Sequence, residues 1–332
     1  MKTSCSLFEG LALRKSWACY RIWAYRFFGV LLVSMILVSA HVPRYSGYLV
    51  RSLDGHISTD DSELLEYIRN EILQPPSDQP YDLLGKANIA LKGIDESEVF
   101  YNHVLWEVFK DKRNGFFVEA GALDGETMSN TLTLERELNW TGLLIEPDEL
   151  DYKSLTIKHR KAWTANVCLS PNPYPSKEML TQHIHYAGPM AIPLGFKMRA
   201  MHGLASFSSQ KALGNSWFAK VQCIPLESML MALRVTRVDL LVLDIEGAEM
   251  AVLKHFDLDK FDVQVVCLEW KVLEEIDDIS RDFEKRGYKE IARNREDVIF
   301  IKKGSPYMPK SPLKLPEFAK EKKEVMGKSN KL

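Results

Sequence analysis

The chain has 332 residues, a formal net charge of −2, and 46% apolar and 10% aromatic residues. That length holds one large domain with appendages, or two small domains; the composition is that of a packed core, and the near-neutral balance excludes a strongly basic protein built to coat nucleic acid. The five cysteines, at positions 5, 19, 168, 223 and 267, form no C-x-x-C pair, so neither a zinc site nor a thioredoxin-type centre is expected.

Residues 1–21 are basic, with Lys2, Arg14, Lys15 and Arg21 against the single acid Glu9. From Phe27 to Val42 the run is apolar except for Gly29, Ser34, Ser39 and His41. As a helix it measures about 24 Å, short of the roughly 30 Å hydrocarbon core, so Ile22 to Tyr25 must supply another turn. Trp23 and Tyr25 then lie at interface depth and Arg26 reaches back to the head groups. The reading is a single transmembrane signal anchor over 22–42 with its basic flank in the cytoplasm and everything beyond it lumenal. Val38-Ser39-Ala40 keeps a cleaved signal peptide as the alternative.

Residues 43–95 read as a lumenal stem. Leu64, Leu65, Ile68 and Ile72 recur at helical spacing behind Asp60 or Ser62 as cap, and Gln74-Pro75-Pro76 ends the pattern. Phe100, Val104, Leu105, Val108 and Phe109 mark one face of a further helix that Asn114-Gly115 terminates, so the folded domain is expected over 96–303. Strands and helices then alternate. Strands are expected at Phe116–Ala120, Gly142–Glu146, Ala162–Leu169, Val238–Asp244 and Val263–Glu269. Helices are expected at Ser129–Leu138, Asp148–Arg160, Ala248–Phe256 and Leu273–Arg286. Tyr288–Ala292 and Asp297–Ile301 form a closing hairpin. The fold class is α/β, a doubly wound, Rossmann-like, mostly parallel sheet with that antiparallel hairpin at its edge. Between Pro171 and Lys220 five prolines break the pattern and mark an insertion, in the place where such domains carry a substrate cover. Residues 304–332, rich in Lys and Pro, are expected to be disordered.

Chemistry is expected at the carboxyl ends of the parallel strands. Phe116 to Gly125 is a strand followed by Glu119, Gly121 and Gly125, with Gly121 allowing a sharp turn against a ligand and Gly125 opening a helix. Glu146 ends the next strand, where a carboxylate can accept both hydroxyls of a ribose. Asp244 and Glu246 end the strand of Val238 to Leu243. The glycine spacing is G-x-x-x-G rather than the G-x-G-x-x-G of a pyrophosphate cradle, which suits a nucleoside without phosphate. His183, His185 and His202 in the insertion are candidate bases, and no metal-binding pattern appears.

The blocks VEAGALDGETMSNT, WTGLLIEPD, ANVCLSP, IPLESML, VDLLVLDIEGAEMAVL and VVCLEW, in that order over roughly 100 to 303, resemble the FkbM-type S-adenosylmethionine-dependent methyltransferases. The basic leader, single anchor and stem resemble the arrangement in the arthropod Star-like membrane proteins. The resemblance implies S-adenosylmethionine as cofactor, with Glu119, Gly121 and Gly125 at its methionine end, Glu146 on its ribose, and Asp244 and Glu246 lining the transfer site. Glu119 stands where an Asp is usual.

Two functions follow from that resemblance. In the first, the protein is a lumenal escort in endoplasmic-reticulum-to-Golgi transport of membrane-bound, growth-factor-type cargo, resident in those membranes or carried on to endosome or plasma membrane. In the second, it is an O-methyltransferase for a glycan or small-molecule hydroxyl. A lumenal domain exposes Cys168, Cys223 and Cys267 to an oxidising compartment. Cys168 and Cys223, on candidate strands flanking the insertion, are the better-placed pair, and three buried thiols are the alternative. Asn139-Trp140-Thr141 is then the one N-x-[S/T] sequon available for glycosylation.

Overall fold

The structure, a computed structural model, describes residues 25–30, 32, 53–84, 96–182, 202–207, 217–270, 276–294 and 296–313. The chain divides into two compact units, 1–47 and 48–332. In the first, residues 25–30 and 32 are helical, and Tyr25, Phe27, Phe28, Val30 and Leu32 are exposed. Most of the expected anchor lies outside the described residues. Among the described residues no helix is long and apolar enough to cross a membrane.

The second unit begins well before the expected domain boundary at 96. Helix α1 (Ser62–Tyr67) is capped by Asp61, whose carboxylate accepts from the amides of Glu63 and Leu64, and it runs on as a π-helical turn over Ile68–Ile72. Strand β1 (Leu73–Gln74) follows. Residues 53–82 are therefore no free stem. Leu53, Ile57, Leu64, Ile68 and Leu73 are buried, Arg69 donates to the carbonyl of Ala232, and Lys161 donates to that of Ser77. The apolar spacing that predicts a helix also supplies a face that has to be covered, and the domain covers it.

The order then runs α2 (Glu96–Phe109), β2 (Phe116–Ala120), α3 (Leu132–Leu138), β3 (Thr141–Ile145), α4 (Glu149–Thr156), β4 (Trp163–Ala165) and β5 (Cys168–Leu169). Strands β6 (Ser176–Gln182), β7 (His202–Leu204) and β8 (Trp217–Ile224) come next, then α5 (Leu226–Ala232), β9 (Leu240–Leu243) and α6 (Glu249–Leu253). The chain closes on β10 (Val265–Glu269), α7 (Ile276–Lys285), β11 (Tyr288–Arg293) and β12 (Asp297–Lys302). The main sheet has the order β1-β4-β3-β2-β9-β10-β12-β11, with β4, β3, β2, β9 and β10 parallel and the closing hairpin antiparallel. The strand order reverses between β2 and β9, which is where open parallel sheets hold ligands.

Buried Val and Leu fill β9 and β10 beside the buried Cys267, as strands covered on both faces require. One face is lined by Phe100, Val104, Leu105 and Phe109 of α2, and Trp140 packs edge-on to Phe109 at 4.7 Å. Tyr307, Met308 and Leu313 pack against the same cluster, and the Tyr307 hydroxyl donates to Asp239 at 2.7 Å. The tail expected to be disordered from 304 is therefore docked as far as 313.

A second sheet, β5-β8-β6-β7, is formed by the insertion and its flanks, clipped by a disulfide between Cys168 and Cys223, which pair in register. Of the two alternatives for Cys168, Cys223 and Cys267, the bonded pair is the one formed, and Cys267 is free and buried.

Candidate functional site

The strand registers set the site. Ala120 pairs with Ile145 and with Leu243, and Leu243 pairs with Leu268, so the next residues, Gly121, Glu146, Asp244 and Glu269, form one row along the carboxyl edge. Three of the four are acids.

Gly121 adopts φ +87°, and a Cβ on it would lie 2.0 Å from the carbonyl oxygen of Asp244. Glycine is required here because two strand ends touch, a demand the sequence spacing does not show. Gly125 is displaced too. It sits in a turn at φ +75°, packed on Leu155, seven residues before α3 begins, so it does not open a helix onto the site.

Glu119 is buried, its carboxylate accepting from the amide of Asn130 at 2.7 Å and from the hydroxyls of Ser129 and Thr131. Burial raises its pKa, opposed by the nearby Arg160 guanidinium and these donors. Arg160 is itself fully buried, paired with Glu135 at 3.0 Å and donating to the Gly125 carbonyl, Ser129 and Thr131. This network fixes the loop of residues 121–131.

Glu146, also buried, bridges two turns. One carboxylate oxygen accepts from the amide of Leu123 at 2.9 Å and the other from that of Asp148 at 2.8 Å. Asn166 holds the far side of the same turn by donating to the carbonyls of Glu146 and Pro147. Beside this turn lies a cleft of about 450 Å³, lined by Pro147, Asp148, Leu150 and Asn166 from the segments that follow β3 and β4 and by Leu180, Ala219 and Val221 from the second sheet.

Asp244, Glu246 and Glu269 each bring a carboxylate oxygen into a group whose members lie within 4.8 Å of one another. Burial, the charges of Asp244 and Glu249 and a hydrogen bond with Asp244 push the Glu269 carboxyl up to about 10, so it holds a proton at neutral pH. Glu246 has φ +60°, and its turn is clamped by Glu249, whose buried carboxylate accepts from the amides of Ile245 and Gly247. The expected transfer-site pair is thus brought together, with Glu269 as a third member. No role is assigned to Glu269 in the sequence, although its place at the end of an apolar strand matches that of Asp244. His183 and His185 lie outside the described residues, and His202 begins β7.

The family model described as the methyltransferase FkbM domain matches residues 119–290, slightly more than half of the chain, starting at the buried Glu119 and ending in the closing hairpin. The chain belongs to the FkbM methyltransferase-domain family. Among solved structures, the FkbM domain is similar to methyltransferase FkbM from Methylobacillus flagellatus KT, at 12% identity over 71% of this chain and 50% of that one, with a TM-score of 0.36. The chain thus spans half the length of that protein. A human methyltransferase 10 domain containing protein is similar at 9% identity over 72% and 92%, TM-score 0.33, and a TehB-like SAM-dependent methyltransferase from Corynebacterium glutamicum at 11% over 65% and 93%, TM-score 0.30. Likenesses of this size say nothing of activity. No curated protein matches the chain.

Proposed function

We propose that the chain is a Star-like, single-pass type II membrane protein whose FkbM domain acts as a lumenal escort for membrane-bound, growth-factor-type cargo between endoplasmic reticulum and Golgi, without methyl transfer. The observation that carries this reading is the engagement of the two carboxylates that the family's pattern would give to the cofactor. Glu119 and Glu146 are buried and hydrogen-bonded to amides and hydroxyls of their own chain, so both hold loops. The exposed apolar side chains of Phe27, Phe28, Val30 and Leu32, just beyond a basic leader, support the anchor over 22–42.

S-adenosylmethionine fits this site only incompletely. The cleft beside Glu146 has the volume of a small-ligand site. Glu119, enclosed by Ser129, Asn130, Thr131 and Arg160, does not fit a contact with the cofactor's ammonium group.

One observation favours the second reading, an O-methyltransferase acting on a glycan or small-molecule hydroxyl. Asp244, Glu246 and Glu269 converge at the sheet edge, with Glu269 pushed up by burial and by its neighbour Asp244, and Asp244 is the carboxylate placed to take a proton from an acceptor hydroxyl. Export of a membrane-bound cargo from cells carrying Asp244→Asn separates the two. The escort reading expects export at the wild-type level, whereas loss of export with unchanged thermal stability would tie the biology to the chemistry.

A further inference from the structure

We infer that Asn139 carries an N-linked glycan, added in an oxidising secretory lumen. Three observations meet here. Asn139-Trp140-Thr141 is the one N-x-[S/T] sequon of the chain. Asn139 is exposed, in the left-handed conformation at the C-cap of α3, where the helix ends and the chain turns into β3. Independently, Cys168 and Cys223 are bonded, and a structural disulfide persists where thiols are not kept reduced.

The folded geometry accommodates the sugar. The Asn139 amide nitrogen donates to the side-chain oxygen of Asn114 at 2.6 Å on the exposed surface. A glycosylated amide keeps one N–H, so this bond survives modification. Trp140 is buried against Phe109, and the Thr141 hydroxyl donates to the Lys161 carbonyl at 2.8 Å. The sequon's recognition hydroxyl is therefore engaged once the domain has folded, which places the addition before folding, on the emerging chain.

In the transfer, the Asn139 Nδ2 bonds to the anomeric carbon of a lipid-diphosphate-linked oligosaccharide. That carbon's bond to the phosphate oxygen breaks, the lipid diphosphate leaves, and one amide proton passes to base. The disulfide forms separately, the two thiols giving two electrons and two protons to an oxidised dithiol carrier of the same compartment.

The full-length chain expressed in animal cells tests this by gel mobility with and without peptide N-glycosidase. A glycosidase-sensitive shift is expected in wild type and in Thr141→Ser, which keeps the sequon, and is expected to vanish in Asn139→Gln and in Thr141→Val. The second loss variant covers a failure of the first to fold. A wild-type chain whose mobility the glycosidase does not change overturns the inference, whether or not the disulfide is present. Because glycosylation is read from mass and not from ligand binding or export, its failure leaves the escort reading to be judged by its own experiment.

Discussion

Gly121 and Asp244 meet at the point where the strand order reverses, with no room between them for a Cβ. Gly121→Ala therefore has to push the strand ends apart and hold φ +87° with a side chain, at a cost of roughly 2–4 kcal/mol. Urea denaturation is expected to show this loss in the midpoint with an unchanged slope. A variant as stable as wild type would mean that the two strand ends are not in contact.

The Arg160–Glu135 pair is fully buried and, through Arg160, ties the loop of residues 121–131 to α3 and to the segment ahead of β4. Arg160→Met leaves the buried Glu135 carboxyl without its guanidinium partner, which costs about 3–5 kcal/mol. Thermal denaturation of the variant reads this directly, and a Tm within a degree or two of wild type would refute the pairing.

Glu269 gives the protein a pH dependence of definite sign. Its carboxyl is raised from 4.5 to about 10 in the folded chain, so between those values the folded state holds a proton that the unfolded chain releases. This contribution is fully present below about 4.5 and is lost as pH rises towards 10. Glu269→Gln, which mimics the protonated acid, is expected to flatten the fall in urea midpoint between pH 6 and pH 9. An unchanged slope would show that the proton is not held there.

The disulfide closes a loop of 55 residues around the second sheet. Its removal by Cys168→Ser with Cys223→Ser costs roughly 2–4 kcal/mol, and reductant should lower the wild-type Tm towards that of the double variant. A Tm insensitive to reductant, with both thiols open to alkylation in the untreated protein, would contradict the bond.

The sequence carries the main sheet because its strands are continuous apolar runs, and Phe116–Ala120 is found with its expected bounds. It also carries the row of acids at the sheet edge, since Glu146 and Asp244 each follow such a run. What it conceals is how those acids are engaged. Nothing in the spacing shows that Ser129, Thr131 and Arg160 fold back onto Glu119, because those contacts span 10, 12 and 41 positions and depend on how the loop closes. The second sheet is hidden for another reason. Ser176–Gln182 groups its polar and apolar residues in runs instead of alternating them and lies among prolines, so no strand pattern stands out against the breakers. Residues 53–82 have a legible helix, but an amphipathic helix does not name the surface that covers it.

Isothermal titration of the purified full-length chain with S-adenosylmethionine decides between escort and enzyme, because the engagement of Glu119 and Glu146 is what separates a scaffold from a catalyst. No saturable binding is expected below the millimolar range, in wild type and in Glu146→Ala alike. Saturable binding in the micromolar range, abolished by Glu146→Ala in a variant of unchanged Tm, would contradict the escort reading.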